Sequence, residues 1–267
     1  MQGLYIENQD NEGLAFVSMI TVFPAFHEQL QVFLRKDLRG AMLSKSLEHR
    51  TTVKDIIESF GVPHTEVDII TVNGKSCDFS CHVEDCDRIC VYPFLANSHI
   101  QEAHHLQERA LPRAQFVADV HLGKMARKMR ILGLDVSYRN DYSDEELVAV
   151  NLNEGRVLLT RDRYLLMHNS VRYGYLVKSS DHLEQVMEVI RRYRLLDELK
   201  PFTRCASCNG ELHGVTKEEI DAELEPKTRL YFQRFARCAG CGKIFWEGSH
   251  FHRLNELIRR LSETCAS

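Results

Sequence analysis

Apolar and polar positions run with two different periods along this chain, and the changes of period divide it into segments. In the first, Ala15–Phe23 (AFVSMITVF) is rich in β-branched and aromatic residues and predicts a strand. Phe26–Leu38 carries Leu30, Phe33 and Leu34 at helical spacing, and Ala41–His49 suits a second strand. Thr51-Thr52-Val53-Lys54-Asp55 opens a helix with Val53, Ile56, Ile57 and Phe60 on its apolar face, and Gly61 closes it. Val67–Val72 reads as a strand, Asn73-Gly74 as a hairpin turn, and Ile89–Tyr92 as a last short strand. A strand pair, one helix and further strands predict a β-grasp, ubiquitin-like module over residues 1–94. Polar, histidine-bearing residues 95–113 then read as a linker.

From residue 114 the pattern alternates strand and helix. Gln115–Val120 is a short apolar strand, followed by Leu122, Met125, Ala126, Met129 and Leu132 at helical spacing and a stop at Gly133. Val136–Tyr138 is a second strand. Ser143 with Glu146 forms a capping box opening a helix through Val150. Arg156–Thr160 is a third strand, Tyr164–His168 a short helix, and Tyr175–Val177 a fourth strand. Asp181 and Glu184 cap a helix reaching Tyr193. Such alternation predicts right-handed crossovers and a parallel α/β sheet over residues 114–200. No internal repeat or low-complexity tract interrupts it.

Residues 201–267 carry two Cys-x-x-Cys pairs, Cys205/Cys208 and Cys238/Cys241, in the turn-forming contexts Cys-Ala-Ser-Cys-Asn-Gly and Cys-Ala-Gly-Cys-Gly. Four thiolates in two such knuckles suit a tetrahedral Zn²⁺. The interval 209–237 is longer than in a minimal zinc ribbon, so an insertion is expected, with Lys217–Glu225 as its helix. Cys77, Cys81, Cys86 and Cys90 lack knuckle spacing and read as small apolar residues. His99, His104 and His105 read as solvated linker histidines.

Composition narrows the function classes. With 44% hydrophobic and 27% charged residues the chain is an ordinary globular protein. No apolar run is long enough for a membrane span, and MQGLYIENQDNEG has no basic and apolar leader pattern. Nine cysteines are therefore expected as reduced thiols in a cytoplasmic protein without membrane partners. Residues 1–100 hold 8 Lys and Arg against 14 Asp and Glu, which disfavours nucleic acid there, whereas residues 112–200 hold 15 against 13.

The chemistry is expected where the parallel strands end, because ligands bind beyond the carboxyl ends of such strands. Asp119 stands at the end of the first strand, Asn140-Asp141 beyond the second and Arg161-Asp162 beyond the third. Converging carboxylates repel unless a cation lies between them, so Asp119, Asp141 and Asp162 form a candidate Mg²⁺ or Mn²⁺ site, with Asp144 a further candidate. Each is also a good helix N-cap in its own right. Lys124, Arg127 and Arg161 are candidates for holding phosphate, while Lys128 and Arg130 read as a solvated helix face. His121 is placed either to assist Asp119 or to make a local hydrogen bond. In the last segment Arg204, Arg229, Arg234, Arg237, Lys243 and Trp246 offer cations and an aromatic for single-stranded nucleic acid, whereas Phe235 and Phe245 suit the ribbon's own core.

At these residues a resemblance emerges. FVADVHLGKMARKMRILGLDVSYRNDYSDEELV, RVLLTRDRYLL, PFTRCASCNG and RCAGCGKIFWEGSHFHRL resemble the C-terminal RNase domain family named after the Mut-seven exonuclease, over residues 113–257. The resemblance implies a PIN-like nuclease fold with a zinc ribbon and a metal-dependent site using Asp119, Asp141 and Asp162. The N-terminal part is similar to the ubiquitin-like module that bacterial members carry. It lacks the Gly-Gly terminus of sulfur carriers, since it runs through Val91-Tyr92-Pro93-Phe94 into the linker, so sulfur transfer is disfavoured. The expectation is a bacterial ribonuclease with catalytic Mg²⁺ or Mn²⁺ and structural Zn²⁺, acting on single-stranded or structured RNA, with a protein partner for the ubiquitin-like module. The alternative is a non-catalytic RNA- or ribosome-binding adaptor.

Overall fold

A computed structural model describes residues 19–94, 104–107, 114–246 and 258–259. The early part of the first expected strand, His99, and the residues following Trp246 up to Leu257 lie outside the described residues. The chain divides into two compact units, Met1–Ala110 with Asp162–Asn169, and Leu111–Arg161 with Ser170–Ser267.

The first unit is built on a five-stranded sheet. Its strands are β1 (Ile20–Phe26), β2 (Lys45–Leu47), β3 (Val67–Val72), β4 (Lys75–Cys77) and β5 (Arg88–Pro93), in the order β2-β1-β5-β3-β4. The two central strands β1 and β5 run parallel and the remaining pairs antiparallel, which is the β-grasp arrangement. Helix α1 (Val53–Ser59) starts from a capping box in which Thr52 and Asp55 exchange hydrogen bonds, and it buries Val53, Ile56 and Ile57. The β3–β4 hairpin turns on Asn73 and Gly74, whose φ angles of 52° and 80° are those of a type I′ turn.

Phe26–Leu38 forms two 3-10 turns, Glu28–Phe33 and Lys36–Leu38, instead of a helix. No side chain caps the first turn, and Leu30, Phe33 and Leu34 are buried all the same. The expected strand Ala41–His49 shrinks to β2. His105 is half-buried and paired: its Nδ1 lies 2.8 Å from Asp68 Oδ2, the Gln107 amide donates to Asp68 Oδ1, and the Leu106 amide donates to the Asp68 backbone carbonyl. A buried carboxylate needs such donors, and the residues read as linker supply them.

The second unit holds β6 (Gln115–Ala118), α2 (Gly123–Ile131), β7 (Asp135–Ser137), α3 (Asp144–Glu154) and β8 (Val157–Thr160). The short helix α4 (Arg163–Leu166) follows β8 and is grouped with the first unit; β9 (Gly174–Leu176) and α5 (His182–Tyr193) complete the sheet layer. The four strands are all parallel, in the order β7-β6-β8-β9. Phe116, Ala118, Val157 and Leu159 share one core with Met125, Met129, Val186 and Ile190 from α2 and α5. The alternate residues Val117 and Leu158 are equally buried on the opposite face, where α3 lies on β6 and β8. A sheet covered on both sides explains the unbroken apolar run of β8.

The last segment is a three-stranded antiparallel ribbon of β10 (Leu212–Val215), β11 (Phe235–Cys238) and β12 (Ile244–Trp246). Between β10 and β11 the insertion forms α6 (Lys217–Ile220), a 3-10 turn over Asp221–Glu223, and α7 (Pro226–Tyr231). The single helix expected over Lys217–Glu225 is thus broken. Pro226 disfavours helical backbone at the residue before it, and Glu225 is extended there at φ −62°, ψ 147°. Ile220, Leu224 and Phe235 form the ribbon's core. Among the described residues no helix is long and apolar enough to cross a membrane.

Candidate functional site

From β6 the chain crosses to β7 on one side and then back over to β8 on the other, so the strand order reverses between β6 and β8. In open parallel sheets that reversal opens a crevice at the carboxyl ends. Asp119 stands at its mouth. The β6–β8 ladder carries on through the Asp119 amide, which donates to Leu159 O at 3.0 Å. The residue is only 6% exposed. It accepts from Thr160 Oγ1 at 2.6 Å and from the His121 amide at 3.2 Å. Two neutral donors orient the carboxylate without neutralising it.

The other expected acids are held differently. Asp141 is exposed and accepts from Arg139 Nε at 2.9 Å; that guanidinium holds its carboxyl below the ordinary carboxylate range. Asp144 is the first residue of α3, whose Ser143–Glu146 capping box leaves it exposed at the helix N-terminus. Asp162 is the N-cap of α4 and accepts from the Tyr164 amide at 2.8 Å, two residues beyond the Thr160 that bonds Asp119. Arg161, Lys124 and Arg127 are exposed, the last two on α2, which starts four residues after Asp119. The side chain of His121 is exposed, and its amide provides the local hydrogen bond. Asp119, Asp141 and Asp144 do not gather into a group with ion-binding separations.

The four cysteines do. Cys205, Cys208, Cys238 and Cys241 have their sulfurs within 4.8 Å of one another, alone in this among groups of three or more potential ligands in the described residues. The Sγ atoms of Cys205 and Cys241 lie 3.6 Å apart, and those of Cys208 and Cys238 3.3 Å. Zn–S bonds of about 2.3 Å at tetrahedral angles require S···S separations of about 3.8 Å. The cluster is therefore compatible with structural zinc. Its tightness shows at Gly210, where a Cβ would stand 3.0 Å from Cys238 Sγ and 3.3 Å from Cys208 Sγ. Burial opposes ionisation of Cys205 and Cys208 and pushes the latter up to about 12. At Cys238 burial is outweighed by hydrogen bonds from the Cys241 amide, the Cys208 thiol and the Gly240 amide, which bring it down to about 6.

Two polar clusters tie the first knuckle to the sheet, and neither was expected. Arg130, expected on a solvated helix face, is 4% exposed. Its Nη1 donates to the carbonyls of Ala206 (3.4 Å) and Ser207 (2.8 Å) inside the knuckle, and its Nε and Nη2 to those of Val136 (2.9 Å) and Tyr138 (3.3 Å). Burial lowers the pKa of this guanidinium. Asp135 accepts from Arg156 Nη1 at 2.8 Å, Asn209 Nδ2 at 2.7 Å and Gln115 Nε2 at 3.0 Å, and is ion-paired with Arg204 Nη2 at 3.3 Å. Burial would raise its pKa, but the Arg156 and Asn209 hydrogen bonds outweigh that and lower it. Arg130 was discoverable in principle, since it lies one residue from Met129 and on the same side of α2 as Ala126.

Family models match the chain in two places: Mut7-C RNAse domain over residues 114–258, and Mut7-C ubiquitin over residues 19–99. No curated protein and no solved structure gives a significant match.

Proposed function

Since the chain belongs to the Mut7-C RNAse domain family, we propose that it is a divalent-metal-dependent ribonuclease working at the carboxyl end of β6 and β8. The observation that carries this reading is Asp119, a buried carboxylate aimed by Thr160 and the His121 amide at the point where strand order reverses. Asp119, Asp141 and Asp162 would hold Mg²⁺ or Mn²⁺, with Asp144 assisting through water. A divalent ion there supplies Lewis-acid chemistry for phosphodiester hydrolysis. Thr160 keeps the Asp119 carboxylate from turning away, and Arg139 must release Asp141 for it to join the site. Exposed Lys124, Arg127 and Arg161 grip backbone phosphates of single-stranded or structured RNA without reading bases. Zn²⁺ on the four cysteines is structural, the ubiquitin-like module binds a protein partner, and the protein works in the cytoplasm.

The test is cleavage of labelled RNA with Mg²⁺, Mn²⁺ or chelator, comparing wild type with Asp119→Asn. Metal-dependent cleavage lost in the variant, with RNA binding kept, supports the reading. A second reading, a non-catalytic RNA-binding adaptor, is favoured by the Arg139–Asp141 pair and by exposed Tyr231 and Trp246 on the ribbon. RNA binding without metal-dependent cleavage in wild type would select it.

A further inference from the structure

The hydrogen bonds of Arg130 run in two directions, and one of them leads toward Asp119. On one side its guanidinium holds the Ala206 and Ser207 carbonyls, which lie between Cys205 and Cys208. On the other it holds the Val136 and Tyr138 carbonyls of β7 and the residue just beyond it. The Tyr138 side chain then crosses to the start of α2, where its hydroxyl donates to Val120 O at 3.1 Å. A Cβ on Gly123 would run into that hydroxyl, so the ring lies directly on the backbone of the helix start. Val120 follows Asp119, and the same turn is closed by the Leu122 amide on Asp119 O and the His121 amide on Asp119 Oδ1.

We propose that Arg130 is a positioning residue: it couples the four-cysteine site to the Asp119 turn through Tyr138, so that a loaded knuckle fixes the carboxylate and an empty one releases it. The physical basis is satisfaction. A buried guanidinium needs its acceptors, and the knuckle supplies two of the four. The Cys205–Cys208 turn presents those carbonyls only while its curl is maintained, and four bound sulfurs maintain it. When the curl opens, Arg130 loses half its partners and repositions, and the Tyr138 carbonyl and ring move with it. The catalytic part of this inference rests on the ribonuclease reading; the mechanical part does not.

The experiment uses the full zinc-loaded chain, with Zn²⁺ itself as ligand and a chromophoric chelator as competitor, and reads amide hydrogen exchange across residues 119–123. Removing zinc from wild type should speed exchange at His121 and Leu122 as well as at 205–209. Arg130→Gln should weaken zinc retention roughly 10–100-fold, the range for groups that orient metal ligands, and speed exchange at 119–123 even when loaded. If that variant fails to fold, Arg130→Lys, which keeps the charge and fewer donors, should show the same changes to a smaller degree. Tyr138→Phe cuts only the last link, so it should leave zinc retention unchanged, speed exchange at 119–123, and lower kcat with KM kept. Zinc removal that loosens only 205–209, or an Arg130 variant with wild-type zinc retention, overturns the proposal. Wild type that shows the coupled exchange but never cleaves RNA would sink the ribonuclease reading and leave the coupling standing.

Discussion

Replacing Asp135 by Asn preserves shape and removes one charge from the junction between sheet and ribbon. Three hydrogen-bond donors and the ion-paired Arg204 converge on this carboxylate, so that two of its four partners are guanidinium groups, those of Arg156 and Arg204. An amide offers one acceptor oxygen and an N–H₂, and the two guanidinium groups can only donate, so at least one of them loses its charged partner. Charge-assisted hydrogen bonds contribute about 1.5–3 kcal/mol each, and breaking a fully buried pair costs about 3–5 kcal/mol. The Asp135 and Arg156 side chains each keep 13% exposure, so water takes up part of the loss and about 2–3 kcal/mol is expected. For a unit of this size that lowers Tm by roughly 5–10 °C. The loss should also depend on pH. Because the folded-state pKa of Asp135 is depressed, its contribution is complete above the unfolded-state value of about 3.9 and fades as pH falls through it toward the folded value. The gap between wild type and variant should therefore be constant from about pH 5 to 8 and narrow below about pH 4. Urea unfolding of the zinc-loaded chain, followed by fluorescence of its single tryptophan, Trp246 on β12, measures this directly. A variant within about 0.5 kcal/mol of wild type at neutral pH, or a gap that stays unchanged well into the acid range, would refute the reasoning.

Gly123→Ala should destabilise by about 1–2 kcal/mol, although alanine is normally the better helix former by about 1 kcal/mol, because its methyl displaces Tyr138; thermal unfolding gives the sign. Cys208→Ser should abolish stoichiometric zinc by atomic emission and lower Tm, and chelation of wild type should reproduce both effects. The double variant Lys124→Gln, Arg127→Gln should weaken RNA binding and flatten the slope of log affinity against log salt by roughly 0.7 for each phosphate no longer neutralised; an unchanged slope would remove α2 from the RNA path.

How far the chain could be read in advance depended on whether the deciding interaction was local. Helix starts at Thr52, Ser143 and Asp181 were legible because each capping side chain bonds an amide two or three residues away. The parallel sheet was legible because β–α alternation with right-handed crossovers leaves few arrangements. Phe26–Leu38 misled because burial over the sheet asks for apolar residues whatever the backbone does, so periodicity alone could not separate a helix from two 3-10 turns. Arg130 misled for a related reason. An arginine on an amphipathic helix is usually solvated, and the acceptors that bury this one come from β7 and from a knuckle more than seventy residues onward. At the candidate site Asp119 and its strand-end position were legible. The Thr160 hydroxyl that orients it, and the Arg139 guanidinium that occupies Asp141, depend on side-chain directions that spacing does not encode.

Strand β7 is the outermost strand beside β6, and Val136 is the residue whose N–H and C=O both point off the sheet. The N–H donates to Asn209 Oδ1 at 3.1 Å and the C=O accepts from Arg130 Nε at 2.9 Å. Side chains thus occupy the hydrogen-bonding rim that another copy's strand would otherwise zip onto. Asn209 directly follows Cys208, so metal loss would uncover this rim as well as loosen the ribbon. A demetallated preparation is accordingly expected to self-associate through strand-to-strand growth along β7, and Asn209→Ala to do so with its metal still in place.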